Sequence, residues 1–64
     1  MAENEPIRLL RLKDLIPIIG MQRSWILEKS KSGEFPKPIK LGERAIAWRE
    51  SEVRAWVVSR KLAE

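Results

Sequence analysis

The sequence predicts a small α+β domain, mostly α: a winged helix-turn-helix with three short helices and one β-hairpin wing. Three observations predict it. Apolar residues recur at helical spacing in three segments. Gly20 leaves room only for a tight turn between the first two. Finally, "FPKPIKLGERAIAW" (residues 35–48) alternates up to a lone glycine and back down to a tryptophan.

In "RLLRLKDLIPIIG", Leu12, Leu15, Ile16 and Ile19 fall at i, i+3, i+4 and i+7, one face of a helix. A helix starting near Lys13 puts Pro17 at the end of its first turn, where it costs at most one backbone bond. Gly20 suits a positive-φ stop. Leu9 and Leu10, upstream, are expected to be extended and to cover the core. "MQRSWILEKSKSG" reads as a second helix over about 22–32, closed by Gly33, with Met21 and Ile26 inward. Two short helices across a glycine turn make a helix-turn-helix, whose second helix enters the major groove.

The hairpin follows. Gly42-Glu43 suits a two-residue type II′ turn. That register pairs Leu41 with Arg44, Ile39 with Ile46 and Lys37 with Trp48. It puts Ile39, Leu41, Ile46 and Trp48 on one face and Lys40 and Ala45 on the other. Pro36 and Pro38 sit at the entry, where no central ladder bond is lost. "WRESEVRAWVVSRKLAE" closes with a third helix over about 50–61. Val53, Trp56 and Val57 face inward and Arg60 follows on that side. Glu50 and Glu52 in the first turn, with Arg60 and Lys61 in the last, suit the helix dipole. Trp48 and Trp56 are the expected core anchors. The hairpin thus completes a core that three short helices cannot, and its tip is left free to reach a phosphate backbone.

A chain of 64 residues is one domain at most. At that size it buries about 60% of its unfolded surface. The winged-helix unit is expected over 8–62, after a polar lead-in at 1–7 read as disordered and not as a signal peptide. No apolar run is long enough to span a membrane. Cysteine is absent, which fits a reducing cytosol. Without histidine or cysteine there is no Cys/His zinc site and no ready general base. Glu50 and Glu52 are explained by their place at a helix start, and the chain is too small for a cleft that tunes paired carboxylates. No enzyme activity, cofactor, metal or small-molecule substrate is expected.

The net charge is +4. Between Arg8 and Arg49 stand ten basic and four acidic residues. A basic middle is the footprint of a polyanion binder, and it also serves plain solubility. Double-stranded DNA is the partner the fold suggests. The candidate contacts are Gln22, Arg23, Ser24 and Trp25 at the start of the second helix, with Lys29, Lys37, Lys40 and Arg44 as phosphate contacts. Arg23 suits guanine, Gln22 adenine or a capping role, and Trp25 either a thymine methyl or the core. Lys31 belongs to the same basic surface. Lys37 and Arg44 are the better phosphate candidates, because local structure fixes where they point.

"RLLRLKDL", "GMQRSWIL" and "GEFPKPIKLGERAIAWRESEVRAW" resemble, in order and spacing, the AlpA family of prophage regulators, relatives of small excisionases and MerR-like winged helices. The likeness covers about residues 8–57. It implies a DNA-binding transcriptional regulator of a prophage or integrated element, cytoplasmic and at the nucleoid. Some such proteins are excisionases, which bend DNA and recruit a phage integrase. An integrase and further copies of the chain on DNA are the additional partners this implies. Two positions depart from the family pattern. Gln22 replaces a small hydroxyl residue and Trp25 a frequent threonine, both where bases would be read, so the target sequence stays open. A third reading is a protein-interaction module that kept the fold without DNA binding. An exposed apolar patch around Trp25 would mark it.

Overall fold

The computed structural model describes residues 7–63. The order of elements is β1 (Leu9–Leu10), α1 (Leu12–Ile19), α2 (Arg23–Ser32), β2 (Ile39–Lys40), β3 (Ile46–Arg49) and α3 (Glu50–Val58). The architecture is the small, mostly helical α+β winged-helix type that the sequence predicts. The disordered lead-in expected over 1–7 falls on residues 1–6, outside the described residues, and on Ile7, which is exposed.

The two helices of the turn are set by their ends. The Asp14 carboxylate accepts the Arg11 backbone N–H at 2.9 Å and fixes the start of α1. Gly20, at φ 83°, closes it by donating to the Ile16 carbonyl. The helix starts one residue earlier than expected, so Pro17 lies in its second turn. Only the bond to the Lys13 carbonyl is lost there, and Pro17 is exposed. Gly33, at φ 93°, ends α2. The Lys29 carbonyl accepts three successive backbone N–H groups there, from Gly33, Glu34 and Phe35. This closure turns Phe35 inward, where it is almost fully buried.

The sheet is antiparallel throughout, with strand order β1-β3-β2. Leu9 and Leu10 do more than lie over the core. They pair with Arg49 and Trp48 and make a third strand. The Glu50 N–H reaches the Arg8 carbonyl at 3.0 Å, tying the start of α3 to the same edge.

The hairpin register differs from the expected one. Ile39 faces Ala47 and Lys40 faces Ile46, and the Leu41 N–H bonds to the Ala45 carbonyl at 2.7 Å. Among the described residues only Gly20 and Gly33 have positive φ. A type II′ turn needs positive φ at Gly42, so the loop takes three residues, 42–44, in place of two. A one-residue slip swaps the faces of one strand relative to the other. Leu41 is therefore exposed, and Ile39 pairs with Ala47 and not with Ile46. Lys40 stands across from Ile46, not beside Ala45.

The core joins Leu10, Leu15, Ile26, Phe35, Trp48 and Val53, with Leu12, Ile19, Trp25, Ile46 and Trp56 packed around it. Trp48 is the anchor expected of it, fully buried. Its indole N–H is shared between the Pro36 carbonyl (2.8 Å) and the Ser30 hydroxyl (3.2 Å). Ser30, buried as well, donates to the same Pro36 carbonyl at 3.1 Å. Trp56 is half-buried and donates to the Glu34 carbonyl at 2.8 Å.

Besides Leu41, three residues assigned inward are at the surface: Ile16, Met21 and Val57. In a chain this short each helix buries a strip about one residue wide, so the flanking apolar positions stay wet. Helix α3 also stops sooner than expected, at Val58. The Trp56 carbonyl accepts the Ser59 N–H and hydroxyl and the Arg60 guanidinium, which caps the helix. Arg60 lies over the Trp56 ring, 4.6 Å from its centroid, on the expected side but beyond the last turn.

Candidate nucleic-acid interface

Helix α2 presents its first turn to solvent. Gln22 is extended and makes no side-chain cap, so of its two expected uses capping is not formed. Arg23 and Ser24 are exposed. Trp25 turns back. It meets Phe35 edge-on at 6.3 Å and Trp56 at 6.4 Å, while Phe35 and Trp56 meet at 4.8 Å. Trp25 is therefore half-buried in an aromatic cluster that braces α2 against α3.

The cationic candidates separate into two groups. Lys29 is held by Glu34 at 2.9 Å. The hydrogen bond to that carboxylate, and then its charge, push the Lys29 ammonium above its ordinary value of 10.5, against a small opposing effect of burial. Lys37 between its prolines and Lys40 on β2 are exposed, and neither lines the groove that holds Arg23.

Arg23 and Arg44 are brought together. Both line a groove of about 550 Å³ between α1, α2 and the hairpin loop. Arg11 and Lys13 supply its other two charges, and among the described residues no carboxylate lines it. Its apolar lining comes from Leu12, Leu27 and Ile46. None of the four cations forms an ion pair among the described residues; the pairs present are Arg8 and Arg54 with Glu50, Lys29 with Glu34, and Arg49 with Glu52.

In this groove residues of the helix-turn-helix and of the hairpin meet the same solvent. All of its residues lie within 8–61, the span that matches the family model for the Prophage CP4-57 regulatory protein (AlpA). The chain belongs to the AlpA family. It is similar to the DNA-binding transcriptional activator AlpA of Escherichia coli, with 33% identity over 94% of both chains. It is also similar to the uncharacterized protein ORF88 of Enterobacteria phage P4, 42% identical over 53 residues. That match covers 83% of this chain and 60% of the phage protein, so the chain spans less than two thirds of that relative. No solved structure matches this AlpA-family chain.

Two features of this AlpA-family site escaped the sequence. Arg11 entered only the charge total, and Lys13 otherwise only as the expected start of α1. Their signal was weak: a basic pair flanking a helix start. Phe35 and Ser30 were also missed, although Phe35 is the only phenylalanine and follows the glycine that ends α2.

Proposed function

We propose that the chain is a sequence-specific DNA-binding transcriptional regulator of a prophage or integrated mobile element. Helix α2 enters the major groove and the hairpin acts as a wing on the adjacent backbone. The observation that carries this reading is the groove in which Arg23 of α2 and Arg44 of the hairpin loop converge, with no carboxylate of the described residues on the lining. Phosphates supply the missing negative charge, and Lys37 and Lys40 extend the basic surface along the hairpin. Membership of a regulatory family, and the transcriptional-activator activity of the Escherichia coli relative, support the same function and a non-enzymatic role. Double-stranded DNA is then the partner, and the cytoplasm, at the nucleoid, the place of action.

The interaction-module reading needs Trp25 at the surface. The aromatic cluster takes most of that side chain, which favours the DNA reading.

The test is a binding titration on duplex DNA from the protein's own locus, with a shuffled duplex as competitor. The expected result is a preference for the locus DNA of roughly a thousandfold or more. Equal binding to both would leave a sequence-independent DNA binder and remove the operator from the account.

A further inference from the structure

The groove holds more charge than a recognition helix and a wing bring to it. Half of its cations come from the start of α1, where Arg11 and Lys13 are exposed and share the lining with Arg23 and Arg44. Like charges converging on one concavity repel, and none of the six side-chain carboxylates among the described residues stands on this lining. At about 550 Å³ the open groove has room for more than a single inorganic anion.

We propose that Arg11 and Lys13 are a third DNA-contacting element: with Arg23 and Arg44 they form one cationic seat for a phosphodiester strand passing between α1 and the hairpin loop. The inference rests on the DNA-binding reading above. It adds that α1 grips the backbone with its own side chains and does more than support α2. Among the described residues neither side chain forms an ion pair. At the α1 start it is the main chain of Arg11, not its guanidinium, that bonds to Asp14. Truncating Arg11 therefore leaves the helix start in place.

Phosphate contacts are independent of sequence, so a labelled random-sequence duplex is a sufficient probe. Affinity is measured across a range of salt concentrations for the wild type, Arg11→Ala, Lys13→Ala and Arg44→Ala. Arg54→Ala serves as a control, because Arg54 lines a separate apolar cleft with Ile18 and Val57. Arg11→Ala and Lys13→Ala should each make the slope of log K against log salt shallower by about one, with unchanged melting temperatures. Arg54→Ala should keep the wild-type slope. If either alanine variant melts early, Arg11→Gln and Lys13→Gln replace them, with affinity taken per folded molecule. Wild-type slopes in the Arg11 and Lys13 variants, beside a shallower slope in Arg44→Ala, overturn the seat and leave the wing contact standing. A loss in Arg54→Ala as large as theirs overturns it too, since the charge would then act without place. No binding by the wild type at low salt removes the DNA reading itself.

Discussion

The Trp48 indole donates to the Pro36 carbonyl at 2.8 Å, a bond that ties the middle of β3 to the segment entering β2. Ser30 of α2 joins the same point, donating to Pro36 and accepting from Trp48. One buried tryptophan thus locks helix, hairpin entry and central strand together. Its N–H is fully satisfied, so burying it costs no unpaired polar group.

Trp48→Ala removes that lock and a fully buried aromatic. It should cost about 3–5 kcal/mol. A domain of this size has little more than that to lose, so the variant should be largely unfolded at 37 °C. Trp48→Phe keeps an aromatic ring but not the donor, and the Ser30 hydroxyl still satisfies the Pro36 carbonyl. It should melt between the two. A Trp48→Ala variant that melts like the wild type in a circular dichroism scan would contradict this account of the core.

Glycine substitutions separate the two kinds of turn. Gly33 has φ 93° with open space where a Cβ would stand, so Gly33→Ala meets no clash and loses only through its backbone conformation. That should cost about 1–2 kcal/mol. Gly42 lacks positive φ, and an added Cβ meets only the Ala45 side chain at 4.0 Å. Gly42→Ala should stay within about 0.5 kcal/mol of the wild type. Equal losses at the two positions, measured by denaturant melts, would mean that the hairpin turns on Gly42 after all.

Much of this fold is written in local pattern. Gly20 and Gly33 mark the ends of the first two helices, because a left-handed residue is needed at each and only glycine takes it freely. Trp48 stands out as a core residue in an alternating run. The hairpin register was not legible, since Gly-Glu is compatible with more than one loop and the choice rests on where Trp48 is held. A two-residue strand such as Leu9–Leu10 has no periodicity to detect. The convergence of Arg11 and Lys13 with Arg44 was hidden for a different reason: a groove is a relation between three elements, and spacing along the chain carries no trace of it.

The ion pair between Lys29 and Glu34 has a pH signature. Its hydrogen bond raises the Lys29 ammonium above 10.5 in the folded chain. A raised lysine contributes stability that is complete below its unfolded value and is lost as the pH climbs through the folded one. Neutral solution therefore keeps all of the lysine's share, and strongly alkaline solution removes it. Glu34→Gln should bring the Lys29 titration, followed by NMR at its side chain, back toward the ordinary lysine range. A titration unmoved by the substitution would show that Glu34 is not the cause.

Arg23 decides how much of the base readout belongs to the first turn of α2. If its guanidinium reads a base, Arg23→Ala should cost about 1–3 kcal/mol on the locus DNA and much less on random duplex. Equal losses on both would make it a phosphate contact and pass base readout to Gln22, Ser24 or Leu27, its exposed neighbours.

The most direct test of the central claim is the salt dependence of wild-type binding to duplex DNA from the protein's own locus, repeated with Arg44→Ala. About five neutralised phosphates predict a slope of log K against log salt of roughly −4 to −5. Arg44 is exposed at the hairpin loop, so its removal should leave the melting temperature nearly unchanged and make that slope shallower by about one. A flat salt response, or no binding at low salt, would contradict the claim that this chain acts on DNA.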